Sequence, residues 1–323
     1  NKASIVIPVK NGAPFVNRAL DSVIAQLPEG WDIIVVDDAS VDGTPDLVAA
    51  YEKVTLLKAS RAGVTSARID GARFSTARFL FFMDVDDTLP DGALAALNDA
   101  IDTCDDDCDV IFGDFYEGEE NNMWLSRYGN ADVRKGKELF DWIINNRRGF
   151  LWAKLINRDL YLSIPLIPYD VKFCEDYLQM LQISYFARGV MYIPTPLYRY
   201  IQHPASVCNQ RKSRSEFADM FYRLCKSIRE LVYMNKFDSA AVLRLKVMYL
   251  YYMRLYLWVA GGWRGVHVDF KNDFDNWAKD KNMMSDPCYT RSRRRQTLIT
   301  SALPWVPALF YVPLLRHISH RIK

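Results

Sequence analysis

The first part of the chain alternates short apolar runs with amphipathic segments. The runs at 4–8, 33–37, 54–58, 79–83 and 110–112 are rich in β-branched and aromatic residues, and they predict strands. The segments at 14–25, 45–51, 64–72 and 93–102 predict helices between them. Strands separated by helices are typical of βαβ units, in which helices cover both faces of a mostly parallel sheet. We therefore predict an α/β fold.

The pattern changes after about residue 117. Shorter helices and loops follow, and a pair of strands is predicted at 190–193 and 197–200, with a turn at Pro194-Thr195-Pro196 between them. Beyond residue 211 the periodicity is helical, with long helices predicted at 215–233 and 240–259. The second of these is expected to end at Gly261 and Gly262.

The end of the sequence combines an apolar stretch with basic flanks. Residues 298–315 carry no charge and lie between Arg295 and Arg316. That length just reaches the threshold for a membrane span, but three prolines within it disfavour a straight spanning helix. We expect a segment lying in the membrane interface, with packing against protein and true spanning as the alternatives.

Composition narrows the function further. The 323 residues carry a formal net charge of +2, which gives no reason to expect a nucleic-acid binder. Six cysteines are scattered without a CxxC pair, and Cys104 and Cys108 have no second pair at zinc spacing. Reduced thiols in a cytoplasmic protein are therefore expected.

An acidic cluster closes one predicted strand. Asp84, Asp86 and Asp87 directly follow the apolar run that ends at Met83. Unpaired anions at the end of a buried strand are costly, and a divalent cation is the usual compensation. Carboxylate oxygens suit Mg²⁺ or Mn²⁺, whose remaining positions are commonly filled by substrate phosphates. The cluster points to nucleotide or phosphate-ester chemistry.

Other polar residues follow the neighbouring strands. Asn11 comes after the first strand, and Asp37 and Asp38 end the second. Ligands of open α/β sheets bind beyond the carboxyl ends of the strands, where a carboxylate can accept from a base or ribose. Arg61 and Arg68 bracket a glycine and a helix start, an arrangement that suits a diphosphate.

Taken in order, these segments resemble the family 2 glycosyltransferases of the GT-A fold. Four motifs within residues 4–87 carry the resemblance: Ser-Ile-Val-Ile-Pro-Val-Lys-Asn from residue 4, Asp-Asp-Ala-Ser from 37, Ala-Arg at 67 and Asp-Val-Asp-Asp from 84. Later matches are looser, at Trp152-Ala153-Lys154-Leu155, at Glu175-Asp176 and at Tyr198-Arg199-Tyr200 with His203. Lys10 departs from the pattern, because many relatives carry a base-stacking aromatic residue there.

The resemblance implies a nucleotide-sugar-dependent transferase of the inverting type that uses Mn²⁺ or Mg²⁺. Asp176 would be the general base beside Glu175, and Asp86, with Asp84 and His203, would ligate the metal. The residues expected to contact the nucleotide or substrate are Pro8, Val9, Asn11, Asp37, Asp38, Arg61, Arg68, Asp84, Val85, Trp152, Lys154 and His203.

The implied organisation is a GT-A catalytic domain at 1–212 and a helical C-terminal region at 213–323. The first half of the catalytic domain, 1–115, would bind a UDP-sugar or related donor, and 116–212 would bind a glycan or lipid-linked saccharide acceptor. We expect a role in bacterial surface polysaccharide synthesis. The tail would hold the protein at the inner face of the cell membrane. A homo-oligomer is left open. The alternatives are a sugar-phosphate nucleotidyltransferase and a catalytically inactive glycan- or nucleotide-binding module.

Overall fold

A computed structural model describes residues 1–129, 133–204, 206, 212–263 and 265–280 of the chain. The chain divides into two compact units. The first comprises Asn1–Tyr169 and Asp176–Ser206, and the second comprises Asp170–Glu175 and Val207–Lys323.

The first unit is built on an eight-stranded sheet. Its strands are β1 (Ala3–Val9), β2 (Trp31–Asp37), β3 (Val54–Lys58), β4 (Phe79–Phe82), β5 (Cys108–Glu119), β6 (Asn122–Ser126), β7 (Lys154–Asn157) and β8 (Gly189–Ile201). Their order is β3-β2-β1-β4-β7-β5-β6, and β8 pairs with β5. The pairs among β1 to β4 and the pair of β5 with β8 are parallel, whereas β7 and β6 pair antiparallel with their neighbours. The predicted α/β fold is confirmed.

Seven helices connect these strands in the described part of the first unit. They are α1 (Val16–Ile24), α2 (Thr44–Ala49), α3 (Val64–Phe74), α4 (Ala93–Thr103), α5 (Gly136–Asn146), α6 (Arg158–Ser163) and α7 (Glu175–Phe186). Strands β1 and β4 are buried along their whole length, as expected of parallel strands covered on both faces. The polar residues predicted at strand ends lie where the sequence indicated: Asn11 follows β1, Asp37 ends β2 and Asp38 follows it, and Asp84 follows β4.

Helix α3 packs closely on the sheet because of one glycine. A Cβ at Gly71 would lie 2.4 Å from Val6 Cγ1 and 3.2 Å from Val36 Cγ2. Contacts that short exclude a side chain at this position, since packed interiors leave no slack for an extra methyl group. Gly71 thus sets how closely α3 approaches β1 and β2, and with it the position of Arg68.

The predicted strand pair at 190–193 and 197–200 is wrong, because β8 runs unbroken from Gly189 to Ile201. The Pro194-Thr195-Pro196 signal marks a bulge: Gly113 of β5 faces Ile193, and the next residue, Asp114, faces Pro196. Prolines are tolerated at bulges, where the ladder is already interrupted. The sequence prediction also missed β6 and β7, which are short and lack a clear alternation.

The described part of the second unit contains three helices. They are α8 (Arg214–Tyr233), α9 (Ser239–Ala260) and α10 (Val268–Ala278). The first two match the predicted helices, and α10 was not predicted. Arg229 and Tyr233 of α8 both bond the carboxylate of Asp273 on α10, at 2.5 Å each.

No helix within the described ranges combines the length and apolar character that crossing a bilayer requires. The apolar segment at 298–315 and its basic flanks lie outside the described residues. The prediction that this tail contacts a membrane therefore stays a prediction.

Candidate active site

The turn that follows β4, residues 84–87, is held in place by β8. We refer to it as the acidic turn. The Tyr198 hydroxyl accepts from the backbone N–H of Asp84 at 2.9 Å and donates to Asp87 Oδ2 at 2.8 Å. Asp87 Oδ1 accepts from the backbone N–H of Ile201 at 2.7 Å. These bonds fix the conformation in which Asp84 and Asp86 are presented.

Asp87 itself is turned into the protein. Its residue surface is 1% exposed. Burial disfavours the charged form and raises the pKa of the Asp87 carboxyl well above its ordinary value, and the nearby charges of Asp84 and Asp86 add to the shift. Asp87 therefore supports the acidic turn, and the other two aspartates are the ones that remain partly open to solvent.

A buried arginine joins the acidic turn to the start of α7. Arg68 of α3 donates from Nη2 to Asp84 Oδ1 at 2.8 Å and from Nη1 to Asp176 Oδ1 at 2.5 Å. The Arg68 side chain is only 3% exposed, compared with 32% for Asp84 and 19% for Asp176. A guanidinium can serve two carboxylates at once because its donors point in fixed, divergent directions. Three residues predicted for the site thus meet at one point.

The Asp84 carboxyl has a raised pKa in this setting. Burial is the largest cause and lifts the pKa to about 6, against the opposing attraction of Arg68. The charges of Asp176 and Asp86 raise it further. The attraction of Arg68 therefore does not fully offset the cost of burying the Asp84 carboxylate beside two other acidic groups.

Asp86 lies against His203 on the open side of the turn. Asp86 Oδ2 and His203 Nε2 are 2.9 Å apart, and the imidazole packs on Phe15 with ring centroids 4.8 Å apart. Arg18 of α1 donates from Nη2 to the backbone oxygen of Asp86 at 2.8 Å and pairs with Glu120 at 2.9 Å. Arg18 was not predicted for the site, and it ties α1 and the end of the β5–β6 hairpin to the acidic turn.

The fit of this set to a divalent cation can be judged from its donors. Within the described ranges, no three His, Cys, Asp or Glu side chains converge to hold a metal by themselves. Asp86 and His203 supply one carboxylate and one imidazole, side by side and partly exposed at 31% and 18%. Two protein ligands completed by substrate oxygens suit Mg²⁺ and Mn²⁺, so the donor set fits a cation shared with a bound phosphate.

The loops after β1 and β2 are bonded directly to each other. Asn11 donates its backbone N–H to Ser40 Oγ at 2.8 Å and accepts from the Val41 N–H at 2.9 Å. The N–H of Gly12 donates to Thr44 Oγ1 at 2.8 Å. Asn11 adopts φ 52°, a left-handed conformation that asparagine tolerates well. The predicted site residue Asn11 thus fixes the mouth between the two strands.

Asp37 and Asp38 have different surroundings at the end of β2. Asp37 accepts from the N–H of Ser40 at 3.2 Å, so it closes the local turn. Asp38 accepts from the N–H of Gly63 at 3.0 Å and lies 3.5 Å from the Lys10 ammonium. The ammonium of Lys10 therefore faces Asp38 at the end of β2.

The remaining predicted residues of the first four strands divide by burial. Pro8 is buried in β1 and Val9 is 2% exposed. Val85 packs against Gly12, where a Cβ would lie 3.2 Å from the Val85 methyl groups. Arg61 is exposed, and its guanidinium lies 4.8 Å from the centre of the Tyr169 ring. Their contacts with a nucleotide stay predictions.

Trp152 and Lys154 belong to a buried aromatic cluster. The Trp152 ring stacks on Phe150 at 3.9 Å and on Tyr198 at 4.7 Å, and the residue is 6% exposed. Lys154 is fully buried, and its ammonium donates to the Tyr128 hydroxyl at 2.5 Å. Burial lowers the pKa of Lys154 to about 7. Both residues support the side chains around the site, and their contact with substrate stays a prediction.

Left-handed backbone conformations occur next to several of the predicted site residues. Ala39 (φ 56°), Ala153 (φ 57°) and Cys174 (φ 60°) adopt left-handed conformations, next to Asp38, Lys154 and Glu175 respectively. Such conformations cost free energy in residues that carry a Cβ, and they often occur at functional sites. Glu175, the predicted neighbour of the base, begins α7 and is half-buried.

Sequence reasoning placed Tyr198 in a motif but assigned it no role. Its hydroxyl is the group through which β8 reaches the acidic turn. The only sequence signal was the Tyr-Arg-Tyr run, whose significance depends on the pairing of β8 with β5. Arg18 carried no signal, because it lies in an ordinary amphipathic helix.

The sheet has the organisation of a GT-A type enzyme fold. It carries carboxylates at the ends of β2 and β4, and a further carboxylate lies at the start of α7. S. aureus TarS 1-349 in complex with UDP-GlcNAc has a similar fold, with a TM-score of 0.65 at 18% identity, over 86% of this chain and 79% of that one. Mannosyltransferase PcManGT from Pyrobaculum calidifontis, in complex with GDP-Man and Mn²⁺, matches with a TM-score of 0.53 at 16% identity, over 94% and 86%.

Residues 4–165 match the family described as glycosyl transferase family 2. The chain belongs to this family. EpsH of Bacillus subtilis (strain 168) is 26% identical over 227 residues, which span 65% of this chain and 64% of EpsH. The match thus leaves about a third of EpsH uncovered.

Proposed function

We propose that the chain transfers a sugar from a nucleotide-sugar donor, a UDP-sugar in the first instance, to a hydroxyl group of a glycan or lipid-linked saccharide, with inversion at the anomeric carbon. The observation that carries the proposal is the double ion pair of Arg68 with Asp84 and Asp176. It brings a carboxylate able to act as a base beside the acidic turn. TarS, which was solved with UDP-GlcNAc, supports the choice of donor.

Asp176 is the proposed general base. It begins α7 and keeps 19% of its side chain exposed, so an acceptor hydroxyl can reach it. In an inverting transfer, the carboxylate takes the hydroxyl proton while the acceptor oxygen forms a bond to the anomeric carbon and the bond to the diphosphate breaks on the opposite face. Arg68 orients the carboxylate by donating to Oδ1.

The loops after β1 and β2 form the proposed nucleotide site. Asp38 accepts from a polar edge of the base, and Lys10, beside it, offers a cation to the same region. Asn11 lies exposed at the loop mouth, and Arg61 is exposed on the loop before α3, where a diphosphate can be met by its guanidinium. Pro8, Val9 and Val85 provide the apolar floor.

Asp86 and His203 would hold the divalent cation, Mn²⁺ or Mg²⁺, with Asp84 beside them. When bound, the cation supplies positive charge to the departing diphosphate. The pair is partly exposed and already adjacent at 2.9 Å, which favours joint binding with substrate. PcManGT, solved with Mn²⁺, supports a cation in a related fold.

We further propose that residues 1–212 form the catalytic domain, with the nucleotide half at 1–115 and the acceptor half at 116–212, followed by a helical region at 213–323. The setting is synthesis of a bacterial surface polysaccharide at the inner face of the membrane. Only the sequence supports the setting, through the family resemblance and the apolar, basic tail.

The test is to separate donor binding from transfer. Asp176→Asn keeps an oxygen for the Arg68 hydrogen bond but cannot take a proton at neutral pH. We expect its turnover with UDP-sugars to fall by about 10²- to 10⁴-fold, while UDP affinity measured by calorimetry stays within about threefold of wild type. Unchanged turnover would reject Asp176 as the base.

The cation is tested separately with Asp86→Asn and its neighbour Asp91→Asn. Asp91 is exposed and lies outside the acidic turn, so its replacement is the matched control. We expect Asp86→Asn, or a chelator added to wild type, to remove the Mn²⁺-dependent part of UDP affinity, and Asp91→Asn to retain it. Full activity in the presence of the chelator would exclude the metal role.

A further inference from the structure

Three tryptophans of the β5–β8 region differ in how much of the side chain is exposed to solvent. Trp152 is 6% exposed and stacked on both sides, and Trp142 packs on Tyr128 with ring centroids 4.8 Å apart. Trp124 of β6 is 47% exposed. An indole left half open on a strand is a large apolar surface that a ligand can cover.

The strand register places Trp124 in a row of three side chains. Trp124 of β6 lies opposite Glu117 of β5, and Tyr200 of β8 lies opposite Glu117 on its other side. Residues directly opposite one another in neighbouring strands share a face of the sheet. The row therefore runs across three strands as an indole, a carboxylate and a phenol ring. We call Trp124, Glu117 and Tyr200 the aromatic row.

A glycine allows the indole to approach the backbone in this row. A Cβ at Gly118 would lie 2.9 Å from Trp124 Cζ3, so no other residue fits beneath the ring without a shift. Gly118 also has φ 142°, which L side chains rarely adopt. The close approach of indole and hairpin backbone gives Trp124 a defined position although it lies on an edge strand.

The aromatic row ends at the acidic turn. Tyr200 directly precedes Ile201, whose N–H bonds Asp87, and the Tyr200 ring stacks on Trp152 at 5.5 Å. At the hairpin end, Arg18 joins Glu120 to the backbone oxygen of Asp86. The row thus leads from the edge of the sheet to the residues assigned to the donor, which is where an acceptor has to lie.

The chemistry of the row is that of a sugar-binding surface. The C–H groups on one face of a pyranose ring are attracted to the negative face of an aromatic ring. Its hydroxyls need acceptors such as a carboxylate. In the part of the chain that the structure describes, no hydrogen bond or ion pair engages the Glu117 carboxylate or the Trp124 indole N–H. Apolar walls with a few polar groups are typical of small-molecule sites.

We infer that the aromatic row is the acceptor subsite and that it selects a pyranose ring, stacked on Trp124 with a hydroxyl donated to Glu117. The inference rests on the proposed function, since it names the substrate class of the same site. An acceptor made of polyol phosphate has no ring face to stack and gains little from Trp124. A second chain adding to the β6 edge is the competing occupant.

The experiment measures acceptor and donor binding on the same proteins. Octyl glucoside, octyl galactoside and octyl N-acetylglucosaminide, below their micelle concentrations, are compared with ribitol 5-phosphate by saturation-transfer NMR with UDP and Mn²⁺ present. We expect saturation of the pyranose ring protons with wild type. Trp124→Ala should weaken pyranoside affinity by about tenfold and Glu117→Gln by less, while Trp124→Tyr restores most of it. UDP affinity should be unchanged in all three variants.

Leu125→Ala is the matched control. Leu125 lies next to Trp124, is 37% exposed and points to the opposite face of β6, so its loss should leave pyranoside binding intact. Equal pyranoside binding by wild type and Trp124→Ala, or no pyranoside binding by wild type, overturns the inference. A change of oligomeric state in Trp124→Ala by light scattering, without loss of pyranoside binding, assigns the edge to a second chain. Failure of wild type to bind UDP, by contrast, counts against the proposed function.

Discussion

In the half of the sheet formed by β1 to β4, the candidate site is assembled by hydrogen bonds between the loops that follow neighbouring strands. Asn11 bonds Ser40 and Val41, and Asp38 bonds Gly63. In the half formed by β5 to β8, the supporting residues are held by stacked rings around a buried lysine. We call these the parallel half and the aromatic half.

The difference shows how the two halves tolerate change. Polar loop contacts in the parallel half fix direction, because each hydrogen bond needs a particular geometry. Stacked rings in the aromatic half fix shape through contact area and impose less angular demand. Substitutions that keep the size of a ring are therefore expected to be tolerated better in the aromatic half than loop substitutions are in the parallel half.

The largest expected effect comes from breaking the link between the two halves. Arg68→Met leaves the Asp84 and Asp176 carboxylates without their shared cation. Removing one partner of a buried ion pair costs about 3–5 kcal/mol, and the partial exposure of both aspartates favours the low end, about 3 kcal/mol. Urea unfolding followed by circular dichroism measures this loss in the free energy of unfolding.

Arg73→Met is the control for that loss. Arg73 lies on the same helix, α3, but is exposed, so its replacement should change stability by less than about 0.5 kcal/mol. Similar losses in the two variants would mean that the ion pairs of Arg68 add nothing beyond the general effect of removing a cation from α3.

A smaller effect is expected from adding one methyl group to the parallel half. Gly71→Ala places a Cβ 2.4 Å from Val6 Cγ1, and overpacking of this kind costs about 1–3 kcal/mol. The better helix propensity of alanine returns up to about 1 kcal/mol, so we expect a net loss of about 1–2 kcal/mol in the free energy of unfolding. Urea unfolding measures it.

Gly43→Ala provides the comparison, because a Cβ there meets nothing within 4 Å and should change stability by less than about 1 kcal/mol. If Gly71→Ala is equally neutral, α3 can move away from β1 and β2, and the parallel half is less tightly packed than the contacts indicate.

The parallel half could be predicted from the sequence because its signals are local. Each strand is followed at once by the residues it presents, so Asp38, Asp84 and Asp86 could be placed at strand ends from the apolar runs alone. Arg68 was predicted for the diphosphate. Its bond to Asp176, 108 residues away, depends on how α3 packs on the sheet, which no local pattern records.

The aromatic half escaped prediction for a related reason. Strands β6 and β7 are short, and β8 contains a Pro-Thr-Pro run that resembles a turn when its partner strand is not known. The role of Tyr198 likewise depends on β8 lying beside the acidic turn. Residues that act through tertiary contacts carry little information in a single sequence, whereas those at strand ends carry much.

The last prediction concerns the buried charge of the aromatic half. Burial lowers the pKa of Lys154 to about 7, from an ordinary value of 10.5. Asp176 opposes this shift and Arg148 adds to it, and the Tyr128 hydroxyl is the direct partner of the ammonium. Between pH 7 and 10.5 the unfolded chain therefore binds a proton at Lys154 that the folded chain does not.

Since the unfolded state binds more protons in that window, raising the pH stabilises the folded state, by up to about 1.4 kcal/mol per pH unit. Below pH 7 both states are protonated, and this contribution no longer changes with pH. We expect the free energy of unfolding of wild type, relative to Lys154→Met, to rise between pH 7.5 and 9.5 by about 1 kcal/mol per unit.

Ile156→Met alters packing on the same strand without removing a titratable group, so its curve should run parallel to that of wild type. If the Lys154→Met curve is parallel as well, the ammonium keeps its proton in the fold, and the aromatic half stabilises a buried cation through its ring faces and the Tyr128 hydroxyl.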